Sequence, residues 1–141
     1  MELSTVVFLL LAIIGWGLGA FFDKACLKYL DPGVAFYVRC LYMVVIFAPL
    51  AAWKYAPIKE AFAGDKWGPL LVLGSVVVSM LGVFFYLKAL SGGAATKIVP
   101  LSSTYPFVTF ALAVLFLGES ITVNRLVGTF LLSGGIYFIS K

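Results

Sequence analysis

The chain has 141 residues, of which 63% are apolar and 11% are charged. Soluble domains are about 45–50% apolar even with glycine counted, and about 25% charged. This composition, with a mean hydropathy of +1.12, excludes a soluble globular protein, a disordered chain and a coiled coil. The apolar residues also run in long blocks, whereas the strands of a membrane β-barrel alternate apolar and polar residues.

The charge pattern and the rare residue types narrow the function classes. The net charge is +4, but the basic residues stand singly at the ends of apolar blocks, where membrane proteins place them. We therefore expect a lipid bilayer as partner and no nucleic acid. Histidine is missing and the cysteines are Cys26 and Cys40, which argues against metal sites, cofactors and His-based enzyme chemistry.

Five apolar blocks are long enough to cross a bilayer, whose core of about 30 Å requires ~20 helical residues. The N-terminus has no basic segment or cleavage site of a signal peptide, so the first block is expected to remain as a helix. Asp31 and Pro32, a capping residue and a first-turn residue, separate the first two helices. We predict an all-α membrane protein with one domain over residues 1–141 and helices over residues 4–30, 33–53, 68–90, 94–118 and 122–140.

The basic residues do not favour one orientation in the membrane. Four would lie on the N-terminal side (Lys54, Lys59, Lys66 and Arg125) and five on the other (Lys24, Lys28, Lys88, Lys97 and Lys141). Either one loop dominates and fixes the topology, or the chain inserts both ways and forms an antiparallel homodimer. Ten helices related by a two-fold axis in the membrane plane would match the inverted-repeat plan of many transporters. We favour the dimer because five helices hardly enclose a path for a metabolite.

Several segments resemble, in order, the EamA domain of the drug/metabolite transporter superfamily. They are GWGLGAFFDKACLKYLDP, AFYVRCLYM, FFYLKAL and PLSSTYPFVTFALAVLFLGESITVNRLVGTFLLSGGIYFI, and together they span essentially the whole chain. Many family members carry two five-helix units and this chain carries one, so the resemblance implies pairing of two chains. It also implies a multi-pass transporter of the inner cell membrane that carries a small molecule and is not an enzyme.

Charged residues of the first two helices are expected to meet. Asp23 precedes Asp31 by eight residues and Arg39 follows it by eight, so both lie about 12 Å from the same end of the hairpin. This spacing predicts an ion pair. The pair either merely holds the hairpin together, with side chains reaching the interface, or lines a vestibule with Lys24 and contacts or gates the substrate.

A candidate substrate cavity follows from polar residues at helical spacing. Trp16 lies in the middle of the first block, and Ser79 and Tyr86 share one face of the third helix. Pro100 and Pro106 remove backbone hydrogen bonds and predict kinks in the fourth helix. The alternative is ordinary helix packing with hydroxyls bonded to their own backbone. The candidate cavity residues are Trp16, Ser79, Tyr86, Ser102, Tyr105 and Thr109.

The last helix is predicted to pack rather than to bind solute. Gly128 and Gly135 lie seven residues apart on one face, as small residues do at close helix contacts, and we assign them to the dimer seam.

No acidic residue lies at the centre of a helix, so proton antiport through a central carboxylate is not supported. The expected function is transport of a small polar or amphipathic compound, cationic or amino-acid-like included; the alternative is a non-transporting subunit that scaffolds or regulates another membrane protein.

Overall fold

The computed structural model describes residues 3–140, apart from the side chains of Ser133 and Ser140. This part of the chain forms seven α-helices and no strand. Most of the side chains on the long helices are exposed, as expected for helices that face lipid or a partner. The helices are α1 (Leu3–Cys26), α2 (Pro32–Trp53), α3 (Tyr55–Ala63), α4 (Trp67–Ser91), α5 (Ala95–Ser102), α6 (Tyr105–Leu117) and α7 (Val123–Ser140).

The first hairpin turns where the sequence predicts. The Asp31 side chain accepts a hydrogen bond from the Gly33 amide at 2.8 Å, and Pro32 occupies the first turn of α2. The predicted cap is therefore confirmed. The first helix ends earlier than expected, at Cys26 instead of residue 30, because the chain tightens into turns in which the Tyr29 amide donates to the Cys26 carbonyl at 2.9 Å.

The connection predicted over residues 54–67 contains a helix, α3, that the sequence analysis missed. Tyr55, Ile58 and Phe62 lie at helical spacing on one side of α3. Lys59 borders this side, and Glu60 points away from it. A groove of about 420 Å³, lined partly by Ile58 and Phe62, runs between α3 and α4. Such an amphipathic helix suits the membrane interface.

The predicted fourth helix is divided rather than kinked. Its two parts, α5 and α6, are separated by Ser103 and Thr104. Pro106 lies in the first turn of α6, where its missing N–H has no helical partner to lose; the kink expected at Pro106 is therefore a break. At the other end of α6, Gly118 adopts φ 67° as the C-cap, a left-handed conformation that favours glycine.

Within residues 3–140, four helical stretches are long and apolar enough to cross a membrane, namely α1, α2, α4 and the combined stretch Ala95–Leu117. The apolar part of α7, Val123–Ile139, is shorter. The structure thus accounts for four of the five predicted spans by length and composition, and the fifth stays a prediction.

The chain divides into two compact units, Met1–Ser91 and Gly92–Lys141. In the first unit, α4 packs mainly against α2 and also contacts α1 and α3. Ala35, Leu87 and Leu90 form its buried core, and the Phe36 and Phe84 rings meet edge to face with centroids 5.3 Å apart. In the second unit, α5 packs against α7.

Candidate functional site

The predicted ion pair between α1 and α2 is present. Arg39 Nη2 donates to Asp23 Oδ1, and the carboxylate is the more enclosed partner, with 12% of the Asp23 side chain exposed against 34% of the Arg39 side chain. A lone charge in the hydrocarbon would cost about 2.5–3.5 kcal/mol on insertion scales. Pairing offsets that cost for both residues and fixes the two helices at the same level.

Lys24, the neighbour of Asp23, reaches a different helix. Its Nζ donates to the Leu90 carbonyl oxygen at 2.7 Å, and Leu90 is fully buried near the end of α4. The last carbonyls of a helix have no intrahelical donor, and a cation is favourable there. Lys24 therefore ties α1 to α4; its role at a vestibule or gate stays a prediction.

The sequence analysis missed the Leu90 carbonyl as a partner. Every residue has a backbone carbonyl, so no residue type identifies this acceptor. The positions alone gave a hint, because Lys24 follows Asp23 and Leu90 lies in the last turn of α4. The three helices α1, α2 and α4 thus meet at one end, where charged residues and one tyrosine lie. We call these residues the junction cluster: Asp23, Lys24, Arg39 and Tyr86.

Tyr86 joins the ion pair to the candidate cavity. It lies half-buried on α4, one residue before the buried Leu87, and is within electrostatic range of both Asp23 and Arg39. Tyr86 was expected to line the cavity, and Asp23 and Arg39 were expected to form an ion pair apart from it. The structure brings these three residues together. Nearby, Cys26 Sγ donates to the Asp23 carbonyl at 3.1 Å, and neither Cys26 nor Cys40 is in a disulfide.

The other two candidate cavity residues of the first unit lie further along the same helix faces. Trp16 precedes Asp23 by seven residues on α1, and Ser79 precedes Tyr86 by seven on α4. Two helical turns place each about 10 Å from the junction cluster, on nearly the same side of its helix. Both side chains are exposed, so they are open to a solute, to lipid or to a partner.

The hydroxyl residues predicted on the fourth helix belong to the second unit. Ser102 Oγ donates to the Val99 carbonyl at 2.7 Å and Thr109 Oγ1 to the Tyr105 carbonyl at 3.4 Å, while Tyr105 is 58% exposed. Ser102 and Thr109 thus bond back to their own helices, as the packing alternative requires. A cavity shared with Trp16, Ser79 and Tyr86 stays a prediction.

The two glycines assigned to dimer packing both lie in open space. A Cβ added at Gly128 or at Gly135 would meet no atom within 4 Å. Gly135 also lines a groove of about 420 Å³ between α5 and α7, together with Pro100 and Ser103. Both glycines thus leave room for a close neighbour, and the dimer contact itself stays a prediction.

Comparisons with known proteins agree with the helical architecture and with the resemblance. Residues 3–141 match the EamA-like transporter family. The chain is also similar to an uncharacterized protein of Methanocaldococcus jannaschii, with 30% identity over 99% of this chain and 98% of the relative. No solved structure matches it. With its apolar helices this is a multi-pass membrane protein, and the chain belongs to the EamA-like transporter family.

Proposed function

We propose that the protein carries a small polar or amphipathic solute across the cell membrane, and that it does so as an antiparallel homodimer in which each chain contributes five spans. The observation that carries the proposal is the match to a transporter family along residues 3–141. The match covers one EamA unit, so two chains would supply the ten helices of an inverted-repeat transporter.

The junction cluster supports a transport function. Ionisable residues inside membrane spans are costly and usually mark solute or ion pathways. Here Asp23 and Arg39 lie within α1 and α2, and the Arg39 side chain is partly exposed. A solute entering from this end of the first unit would meet a polar wall between otherwise apolar helices.

The near balance of basic residues supports the antiparallel arrangement. With four on one side of the membrane and five on the other, the positive-inside rule gives almost no preference for one orientation. In this proposal α7 forms the fifth span and, with Gly128, the seam between the two chains.

The first test is the sidedness of two connections. Cys26 and Cys40 are replaced by alanine, and a single cysteine is introduced by Tyr29→Cys in one variant and by Ala63→Cys in the other, which leaves every basic residue in place. Tyr29 follows α1 and Ala63 ends α3, after the next span, so the proposed topology puts them on opposite sides of the membrane. Intact cells are labelled with an impermeant thiol reagent, and again after lysis. We expect about half of each variant to label in intact cells, because both orientations insert with nearly equal bias.

Labelling of one variant alone would overturn the antiparallel homodimer. Transport is tested separately, with purified protein in liposomes and a panel of radiolabelled amino acids, amines and small carboxylic acids. Saturable uptake would support the transporter. Absence of both uptake and solute-dependent thermal stabilisation across the panel would overturn it in favour of the non-transporting subunit.

A further inference from the structure

We propose that Arg39 and Tyr86 form a binding subsite for the carboxylate of a small solute. The proposal rests on the proposed transport function, because it names the chemical class of the solute that is carried. It also narrows that function, since the sequence leaves cationic, amino-acid-like and other polar solutes open.

The free hydrogen-bonding capacity of Arg39 is the first argument. A guanidinium group has five N–H donors, and Arg39 uses Nη2 to bond Asp23 Oδ1. Nε and Nη1 have no acceptor among the described residues, in which every buried side-chain nitrogen or oxygen has a partner. These two donors therefore reach the surface, and Arg39 can bind a second anion without releasing Asp23.

The unequal exposure of Asp23 and Arg39 determines which charge the bound group of the ligand carries. The Asp23 side chain is 12% exposed and the Arg39 side chain 34%. A solute approaching the pair meets the guanidinium before the carboxylate, which is already bonded to Arg39. The accessible charge is positive, so the geometry selects an anionic group and disfavours a cation.

Tyr86 provides a second donor from another helix. It is half-buried on α4, which packs against α2, and it lies one turn before Leu90, whose carbonyl accepts from Lys24, the neighbour of Asp23. Its hydroxyl bonds to no described residue. A partly buried tyrosine hydroxyl usually finds a partner. A carboxylate has two oxygens, one for the planar guanidinium and one for the hydroxyl, and such charge-assisted bonds are strong. Arg39 and Tyr86 together therefore suit a carboxylate better than a neutral group.

The test measures the accessibility of Arg39 to phenylglyoxal, a reagent that modifies arginine. The chain has two arginines, Arg39 and Arg125, so Arg125, exposed in the second unit, is an internal control. The full-length protein in lipid nanodiscs is treated with the reagent while benzoate, or its neutral analogue benzamide, is titrated in. Mass spectrometry of the peptides gives the modification rate of each arginine.

We expect benzoate to protect Arg39 saturably, slowing its modification about tenfold at ten times the half-effective concentration, while Arg125 keeps its rate. Benzamide should protect neither arginine. The conservative variant Tyr86→Phe should raise the half-effective benzoate concentration by about tenfold, since it removes one hydrogen bond to a charged group.

Five results would overturn the subsite: an Arg39 that is unreactive without any ligand, no protection by benzoate, equal protection by benzamide, equal protection of Arg125, or an unchanged half-effective concentration in Tyr86→Phe. Protection of Arg39 without uptake of any solute of the panel in liposomes would keep the subsite and overturn the transport function. Uptake of solutes without protection of Arg39 would overturn the subsite alone.

Discussion

Two consecutive residues of α1 hold the first unit together at one end. Asp23 bonds Arg39 on α2, and Lys24 bonds the Leu90 carbonyl on α4. Neighbouring residues on a helix point about 100° apart, so adjacent side chains reach different helices. One turn of α1 therefore contacts both neighbouring helices through charged side chains.

A double-mutant cycle can measure the coupling energy between Asp23 and Arg39. We expect Asp23→Asn and Arg39→Gln each to lower the free energy of unfolding in mixed micelles, because each leaves an unpaired charge in a partly buried place. The coupling energy of the cycle should be about 1–3 kcal/mol, the upper part of the range for contacting residues.

The matched control for that cycle is the second ion pair, between Glu119 and Arg125. Its side chains are 53% and 54% exposed, and its nitrogen and oxygen are 3.4 Å apart. Exposed pairs contribute about 0–1 kcal/mol. A coupling for Asp23 and Arg39 no larger than that of the control would mean that burial does not strengthen the junction pair.

At the scale of elements, the break between α5 and α6 is the main irregularity inside a membrane-length stretch. Pro106 has no N–H to donate to the Ser102 carbonyl, and the Ser103 amide instead donates to the Val99 and Pro100 carbonyls, both at 3.1 Å. The hydroxyls of Ser103 and Thr104 also donate to carbonyls of the preceding turn. These bonds give the amide of Ser103 and the two hydroxyls acceptors in the preceding turn, as polar groups inside a bilayer require.

Restoring the missing donor should make this stretch continuous. In Pro106→Ala, the new amide of residue 106 can donate to the Ser102 carbonyl. We expect hydrogen exchange of residues 103–107 to slow by about fivefold, the equivalent of one added bond of about 1 kcal/mol. Pro49→Ala is the control, because α2 is already continuous through Pro49 and residues 103–107 should keep their exchange rates. Unchanged exchange in Pro106→Ala would show that Pro106 does not cause the break.

Across the whole molecule, exposed apolar helix faces and glycines with free space beside them favour contact with lipid or with other helices. Gly128 lies on α7 with no atom within 4 Å of an added Cβ, and small residues in membrane helices favour close contact between helices. In water such faces would be an aggregation hazard; in a bilayer they can contact lipid or a second chain.

A bulky residue at Gly128 should separate the two chains. We expect Gly128→Leu to weaken dimerisation in detergent by about tenfold, through overpacking of the kind that costs about 1–3 kcal/mol, with dissociation measured by fluorescence energy transfer between labelled chains. Gly74→Leu on α4, another open glycine, should dimerise normally. Equal weakening in both variants would point to a general effect of bulk, and normal dimerisation of Gly128→Leu would exclude α7 as the seam.

Features that depend on short-range interactions could be predicted from the sequence. The apolar blocks follow from composition, the turn at Asp31 and Pro32 from a side chain bonding an amide two residues away, and the end of α6 at Gly118 from one left-handed residue. The equal depth of Asp23 and Arg39 was predictable because the helical rise is constant.

Contacts between groups on different helices became known only from the packing of the helices. The bond from Lys24 to the Leu90 carbonyl and the place of Tyr86 near the ion pair both join segments far apart in the chain. They depend on α4 packing against both α1 and α2, and apolar helices with little sidedness do not encode that choice in their periodicity. A backbone carbonyl is also the same at every residue, so its partner becomes visible only when the helices are placed.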